Sequence, residues 1–267
     1  MKLSFSTVGC PDWKFGEILS VAKDLGLHGF EVRGIADTLY APDIKAFSPE
    51  KIVATKQRLV ETNMCIPVLD SNAGLGEAAR AEEAKAEAMA YIDLAAQLGV
   101  PYVRVMPTRY PQPEEWDRDL ALASYRDICA YGKDKGVLPL METNAALADS
   151  QAMAQFIADA GTGGVLWDIH HPYRYFGETP ETTVRNLASL IRHVHIKDGV
   201  VVEGKPCYRM LGYGDVPVND AVQALSAAGY DGFLSLEWVK RWNPELEEPG
   251  VAFAHYAHYM RELLGRV

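Results

Sequence analysis

Four residues of the types that bind divalent metals lie at or beside the ends of the last four apolar runs of the chain. They are Glu142 in LPLMET, Asp168 in GVLWDIHH, His195 in HVHIKD and Glu237 in FLSLEW. If these runs are neighbouring parallel strands, the four side chains meet at one end of the sheet. Carboxylates combined with one imidazole suit Mn²⁺, Mg²⁺ or Co²⁺ better than structural zinc. The sequence therefore predicts a metalloenzyme. We expect Mn²⁺, with Mg²⁺, Co²⁺ or Zn²⁺ as alternatives.

The segments that must position these residues form eight repeats of strand then helix. The candidate strands are Leu3–Thr7, Gly29–Arg33, Ile66–Ser71, Tyr102–Met106, Val137–Glu142, Val165–Ile169, His193–Lys197 and Phe233–Trp238. The segments between these strands have the apolar periodicity of helices, most clearly Ala78–Leu98. Several of these predicted helices end at a Gly that precedes the next strand. This pattern predicts an α/β fold, the (β/α)8 TIM barrel. The alternative is a doubly wound open sheet, but the GxGxxG fingerprint of that fold is missing after the first strand.

Strand parity predicts an unusually charged barrel interior. Alternate residues of a barrel strand face the outer helices and the lumen. The lumen-facing set would be Glu31, Arg33, Arg104, Glu142, Leu166, Asp168, His193, His195, Ser235 and Glu237. Because unpaired buried charges are costly, we expect these groups to be paired or bound to metal. Glu31 with Arg104 or Arg33 is the expected structural pair.

Length and composition exclude several classes of protein. The 267 residues contain no linker or low-complexity tract, so we expect one domain over 1–267. No secretory signal pattern or membrane-spanning stretch occurs, which predicts a cytoplasmic protein without a membrane partner. The formal charge of −10 argues against nucleic acid as a partner. The four cysteines match no zinc spacing, and we expect them to be reduced packing residues.

The motifs MET, WDIHH, HVHIKD and LEW resemble those of the xylose isomerase-like TIM barrels, in the sugar phosphate isomerase/epimerase superfamily, over essentially the whole chain. That group includes ketose 3-epimerases, hydroxypyruvate isomerase, inosose isomerases and dehydratases, and more remotely endonuclease IV. The resemblance implies that the metal ligands are Glu142, Asp168, His195 and Glu237. It also implies that His171 contacts substrate. In ketose 3-epimerases a second Glu follows the first carboxylate by six residues, whereas here that place holds Ala148, with Asp149 beside it.

The expected function is metal-dependent isomerisation or epimerisation of a small sugar, keto-sugar or keto-polyol. Reactions of this group remove a proton beside a carbonyl and pass through an enediolate, and we expect Glu142 and Glu237 to be the catalytic groups. Alternatives are an inosose dehydratase-like lyase and a subunit of a sugar-processing complex. An endonuclease IV-like enzyme needs further histidines on the third and fourth strands, where the chain reads LDSN and VMPT instead.

Several residues in segments that follow strands could bind a small carbohydrate. Lys197 could orient a substrate oxygen or pair with Asp198. The loop PYRYFGET, residues 172–179, is rich in aromatic and cationic groups. Further candidates for covering a sugar face or gripping an anionic group are Trp13, Trp116, Tyr173 and Arg209. Exposed loop aromatics are equally consistent with a homo-oligomer interface. The segment GYGDVP, Gly212–Pro217, is expected to be a turn.

Overall fold

The computed structural model describes residues 1–267 and contains ten strands and nine α-helices. The strands are β1 (Lys2–Ser6), β2 (Gly29–Glu31), β3 (Val68–Gly74), β4 (Tyr102–Met106), β5 (Leu138–Glu142), β6 (Gly164–Asp168), β7 (Ile191–Ile196), β8 (Asp198–Val202), β9 (Lys205–Arg209) and β10 (Phe233–Leu236). The helices are α1 (Phe15–Asp24), α2 (Ile52–Thr62), α3 (Ala81–Leu98), α4 (Arg118–Lys133), α5 (Ser150–Ala160), α6 (His170–Phe176), α7 (Pro180–Leu187), α8 (Val218–Ala227) and α9 (Pro249–Leu264). None of the helices has the length and apolar composition needed to cross a bilayer.

Eight parallel strands curl into the barrel in the order β2-β1-β10-β7-β6-β5-β4-β3. Isolated parallel bridges, Gly29 to Cys65 and Val32 to Leu69, join the chain of β2 to that of β3. Helices follow the strands and cover the outside of the sheet, so the predicted (β/α)8 TIM barrel is confirmed. The eight barrel strands are all parallel, and their carboxyl ends therefore meet at one rim.

The expected strands and helix ends agree closely with the structure. Each of the eight candidate strands overlaps one barrel strand, with ends displaced by a few residues at most. The four helix-stopping glycines of the sequence, Gly26, Gly99, Gly136 and Gly229, all have positive φ, between 61° and 77°. At Gly99 this left-handed conformation lets its N–H cap the carbonyls at the end of α3. Local sequence alone therefore marks where the helices end.

The hydrophobic core lies between the sheet and the helices. The helix expected within Ala78–Leu98 is α3, and its apolar face, which includes Tyr91, Ile92 and Leu98, is buried. On β1, Phe5 points outward and stacks on Phe253 of α9 with ring centroids 4.1 Å apart. Each such fully buried side chain contributes about 1.5–3 kcal/mol through the hydrophobic effect. This packing fixes the strands that carry the charged interior.

Two elements differ from the sequence expectation. Residues 172–179 were expected to form a loop, but most of them lie in α6, which ends at Gly177 with φ of 64°. Between β7 and α8 the chain forms the antiparallel hairpin of β8 and β9, which the sequence did not predict. Both elements follow strands at the carboxyl rim, and they extend the wall above the barrel.

All four cysteines are free. Cys10 and Cys129 are buried, as expected of packing residues, whereas Cys65 is exposed and Cys207 is half-buried. The expectation that all four pack in the interior is therefore wrong for Cys65. Its sulfur lies 3.4 Å from the His28 carbonyl oxygen at the amino end of the barrel, where β2 and the chain entering β3 meet.

Candidate metal and substrate site

The parallel register brings four predicted metal ligands together at the carboxyl rim. Asp168 of β6 pairs directly with His195 of β7, and His195 pairs with Ser235 of β10. Glu237 follows β10 by one residue, and Glu142 is the last residue of β5. All four are buried, and one potential ligand atom from each lies within 4.8 Å of all the others. The carboxylates and the imidazole therefore surround a common point.

The spacing of these atoms fits a single divalent ion. An octahedral ion about 2.1 Å from its ligands holds neighbouring ligands about 3.0 Å apart and opposite ones about 4.2 Å apart. From Nδ1 of His195 the nearest carboxylate oxygens are 3.5 Å away on Glu142, 3.6 Å on Glu237 and 3.9 Å on Asp168. His195 Nδ1 is buried and makes no hydrogen bond. Burial by itself would lower the pKa of His195, but Glu31, Glu237 and Glu142 raise it well above its usual value. A cation bound among the carboxylates would therefore take the place of a proton on this nitrogen.

Lys197 borders this cluster. Its Nζ lies 2.6 Å from Asp168 Oδ2 and 2.5 Å from Glu237 Oε2. The alternative pairing with Asp198 is wrong, because the Asp198 carboxylate accepts backbone N–H groups instead. Burial by itself would lower the pKa of Lys197, but Asp168 and Glu237 raise it well above its usual value. The side chain is therefore a charged ammonium beside the cluster.

Both glutamates of the cluster are ionised at neutral pH. Arg104 Nη1 donates to Glu142 Oε2 at 2.9 Å. Burial by itself would raise the pKa of Glu142, but Arg104 and His195 hold it below its usual range. Glu237 behaves in the same way. Burial by itself would raise its pKa, but Lys197 and His195 outweigh this effect, and the pKa lies below its usual value. Ionised carboxylates can bind a cation and can accept a proton.

A fourth carboxylate, Glu31, lies on the other side of the His195 ring, next to Nε2. Glu31 Oε2 lies 2.7 Å from His193 Nε2, and its Oε1 lies 3.1 Å from His195 Nε2. The expected pairing of Glu31 with Arg104 or Arg33 is therefore wrong. Burial would raise the pKa of Glu31, but the two imidazoles hold it well below its usual range. Because Nε2 of His195 faces Glu31, Nδ1 is the nitrogen that faces the three carboxylates.

His171 lies at the start of α6, above Asp168. Its Nδ1–H donates to the Thr143 carbonyl oxygen at 2.9 Å, which fixes the tautomer and leaves a lone pair on Nε2. Burial lowers the pKa of His171, so the ring is neutral at pH 7. The neighbouring His170 is also buried, and its backbone N–H donates to Asp168 Oδ1 at 2.8 Å. Nε2 of His171 lies 3.7 Å from Asp168 Oδ2.

A pocket of about 520 Å³ opens over the cluster. The predicted site residues that line it are Glu142, His171, Lys197 and Glu237. Arg33, which was expected to face the lumen, also lines the pocket. Other lining residues were not singled out from the sequence, among them Asn72, Arg109, Tyr208, Trp242 and Asn243. For Tyr208 a signal existed, because neighbours on a strand point to opposite faces. With Arg209 exposed to solvent, Tyr208 faces the site.

Four residues proposed from the sequence lie outside this pocket. Trp13 packs edge-on against Phe253 with ring centroids 5.6 Å apart, and Tyr173 packs against the hydrophobic core. Arg209 is exposed, and its Nη1 donates to the Tyr208 carbonyl oxygen at 2.8 Å. Trp116 packs against Phe156 with centroids 6.1 Å apart and borders a separate depression beside Asp117. The pocket wall is aromatic nonetheless, because Tyr208 and Trp242 line it.

The segment after β5 carries no second carboxylate into the pocket. Ala148 is fully buried at the end of a short 3-10 helix. Asp149 caps α5, where its Oδ1 accepts from the N–H groups of Gln151 and Ala152 at 2.9 Å each. Asn144 lines the pocket instead. An amide therefore contributes to this wall.

The predicted turn Gly212–Pro217 is anchored to the barrel by Asp198. The Asp198 carboxylate accepts the N–H groups of Gly199, Gly212, Gly214 and Val216 at distances from 2.7 to 3.1 Å. These bonds hold the segment that follows the β8–β9 hairpin, and thereby the hairpin that carries Tyr208.

The chain matches the model of the xylose isomerase-like TIM barrel family over residues 19–262. No curated protein matches it in sequence. Among solved structures it is similar to the IOLI protein with a binding zinc atom, at 14% identity and a TM-score of 0.80, covering 100% of this chain and 99% of that one.

Two further structures are similar over nearly their whole length. D-psicose 3-epimerase with D-tagatose from Clostridium cellulolyticum H10 shares 16% identity at a TM-score of 0.77, with 99% of each chain covered. The probable 3-DHS dehydratase AsbF of Bacillus anthracis, involved in petrobactin synthesis, shares 17% identity at a TM-score of 0.77, with 98% of this chain and 99% of that chain covered. At such identities the likeness shows a common fold and leaves the reaction open.

Proposed function

The chain belongs to the xylose isomerase-like TIM barrel family, and we propose that it is a divalent-metal-dependent isomerase or epimerase of a small keto-sugar or keto-polyol. The observation that carries the proposal is the convergence of Glu142, Asp168, His195 and Glu237 beneath the pocket. We propose Mn²⁺ as the ion, held by these four residues, and the cytoplasm as the compartment.

Proton transfer is assigned to the two glutamates. A bound divalent ion would stabilise the negative charge that develops on the substrate's carbonyl oxygen as the neighbouring carbon loses a proton. Glu142 and Glu237 are ionised, line the pocket and come from strands on different sides of the cluster. Each can hold the ion through one oxygen and accept a proton through the other. Two bases acting on opposite faces of a carbon give epimerisation, whereas one base serving adjacent carbons gives isomerisation.

Lys197 and His171 are assigned to substrate positioning. The Lys197 ammonium lies against Asp168 and Glu237, where it can donate to a substrate oxygen and help to stabilise an enediolate. His171 is held neutral with Nε2 unprotonated, so it can accept a hydrogen bond from a substrate hydroxyl. Tyr208 and Trp242 supply aromatic faces for the apolar side of a sugar ring.

The proposal is tested by proton exchange. The Mn²⁺-loaded protein is incubated in D₂O with a panel of keto-sugars and inososes, and NMR reports deuterium incorporated beside the carbonyl. Glu142→Gln and Glu237→Gln keep an oxygen ligand but lack the basic carboxylate, so exchange is expected to fall by about 10²-fold or more. Elemental analysis checks that Mn²⁺ is retained. Glu83→Gln, which removes an exposed charge from α3, is the matched control.

The outcomes separate the candidate mechanisms. Loss of exchange in only one Gln variant indicates a single-base isomerase, and loss in both indicates a two-base epimerase. A product lighter by one water identifies a lyase, which begins with the same proton transfer. If both variants retain Mn²⁺ and exchange at the wild-type rate, the assignment of the glutamates is wrong. If the wild type exchanges no substrate of the panel, the proposed function is wrong.

A further inference from the structure

Cationic side chains are concentrated in the pocket wall although the chain carries a net charge of −10. Four cationic side chains line it, namely Arg33, Arg104, Arg109 and Lys197. Three of them have a carboxylate partner: Arg104 pairs with Glu142 at 2.9 Å, Arg109 with Glu77 at 2.9 Å and Lys197 with Glu237 at 2.5 Å. These three charges are therefore neutralised within the protein.

Arg33 is the exception. Its guanidinium forms no ion pair with a carboxylate of the protein, and its hydrogen bonds go to neutral acceptors. Nη2 donates to Asn72 Oδ1 at 2.8 Å, and Nη1 lies 3.4 Å from the Asp70 carbonyl oxygen. A guanidinium has five N–H donors, so most of its capacity remains free. The contact with Asn72 orients the planar group within the pocket wall.

The surroundings of Arg33 favour an anion. Burial and the positive charge of Arg104 lower the pKa of Arg33, and the more distant Asp70 and Glu237 offset this only in part. A ligand carboxylate beside the guanidinium would supply the missing negative charge. Water can hydrate the free N–H groups of a half-buried arginine, but it cannot neutralise the charge.

We infer that the substrate is a keto-sugar acid whose carboxylate binds Arg33. The inference rests on the proposed function, because it takes the carbonyl end of the substrate to lie at the Glu142, Asp168, His195 and Glu237 cluster. A planar guanidinium matches the two oxygens of a carboxylate in a bidentate pair. The same pocket contains both Arg33 and the two glutamates, and about 520 Å³ accommodates a small sugar acid. Only one cation of the wall is unpaired, which fits the single charge of a carboxylate better than the charge of a phosphate.

The placement of Arg33 also sets the orientation of the substrate. Arg33 follows β2, which is separated from β10 and Glu237 by β1 alone. His171 and Asp168 belong to the β6 side of the barrel. A substrate anchored by its carboxylate at Arg33 therefore extends from the β2 side towards the metal cluster. Its acidic end and its reacting carbon are held at different places.

The test compares ligands that differ at a single carbon. Binding of D-fructose, D-fructuronate and D-fructose 6-phosphate to the Mn²⁺-loaded protein is measured by calorimetry, and D-tagatose with D-tagaturonate provides a second pair. We expect at least one uronate to bind about tenfold or more tightly than its neutral ketose, as one hydrogen bond to a charged group provides. Arg33→Met is expected to abolish this preference while Mn²⁺ content stays unchanged.

Controls separate direct binding from general electrostatics. Arg109→Met removes the same charge from the same wall, but its partner is Glu77, so the preference for the uronate should persist. Equal binding of uronate and ketose by the wild type overturns the inference, as does failure of both uronates to bind. Tighter binding of the 6-phosphate than of the uronates overturns the assignment to a carboxylate. If Arg33→Met does not fold, the comparison of uronate and ketose binding by the wild-type protein still tests the inference.

The inference and the proposed function can fail separately. If neutral ketoses exchange protons in D₂O as fast as uronates do, the proposed function stands and the role of Arg33 is wrong. If uronates bind in an Arg33-dependent manner but none of the panel exchanges a proton, the carboxylate site stands and the proposed reaction is wrong.

Discussion

Replacing Glu31 by Gln is expected to weaken Mn²⁺ binding about 10- to 100-fold while the barrel remains folded. Glu31 is fully buried and contacts Nε2 of both His193 and His195, at 2.7 and 3.1 Å. As a carboxylate it accepts a hydrogen bond from His193, and its other oxygen lies beside Nε2 of His195. That negative charge favours a proton on Nε2 of His195, which leaves Nδ1 for the ion. Carboxylates that support a metal-bound histidine typically contribute this factor to metal affinity. A 10- to 100-fold loss of affinity corresponds to about 1.4–2.7 kcal/mol of binding free energy.

Gln has the same size but presents one oxygen and one NH₂ group. If the NH₂ faces His195, that ring must accept at Nε2, and its proton moves to Nδ1, where it opposes metal binding. If the NH₂ faces His193 instead, the mismatch falls on His193, and His195 loses only the negative charge behind it. The two orientations set the upper and lower ends of the expected range. In either case the side-chain volume is conserved, so we expect the packing of the barrel to survive.

Calorimetric titration with Mn²⁺ measures the affinity, and circular dichroism during thermal unfolding checks the fold. Glu83→Gln removes an equal charge from the exposed face of α3 and should bind Mn²⁺ like the wild type. If Mn²⁺ affinity falls in both variants, the cause is the net charge of the chain rather than the contact between Glu31 and His195. A folded Glu31→Gln protein that binds Mn²⁺ as tightly as the wild type would refute the supporting role of Glu31.

Three further expectations follow from the site. His171→Ala should lower kcat/KM by about tenfold or more, through loss of one substrate hydrogen bond, while elemental analysis finds Mn²⁺ retained; loss of the ion would instead make His171 a ligand. In Asp198→Asn, one of the two oxygens that accept backbone N–H groups becomes an NH₂ group, which cannot accept a hydrogen bond. This change should cost about 2–4 kcal/mol locally and increase hydrogen exchange at 212–216, and unchanged protection there would contradict this. Mn²⁺ at about 100 times its Kd should raise the free energy of unfolding by about 2.7 kcal/mol, seen as a higher Tm that EDTA reverses; no shift would argue against a site in the folded barrel.

Local sequence determined the architecture of this protein. Strand and helix positions followed from apolar periodicity and from glycines at helix ends, because both effects act within a few residues of the chain. Parity along the strands also identified the charged side chains of the lumen, since alternation of side chains is a property of any β-strand. Parallel strands bring their carboxyl ends to one rim, so the meeting of Glu142, Asp168, His195 and Glu237 could be anticipated once the barrel was inferred.

The tertiary structure alone decided which charged groups are partners. Glu31 contacts His193, which lies 162 residues further along the chain, rather than Arg104 or Arg33, and Lys197 contacts Asp168 and Glu237 rather than its neighbour Asp198. The hairpin of β8 and β9 and the position of Tyr208 likewise depend on distant bonds to Asp198. Strand parity states which side of the sheet a residue faces but not how far its side chain reaches across the lumen. Those distances arise from barrel curvature and side-chain rotamers, and so the unpaired charge of Arg33 could be found only in three dimensions.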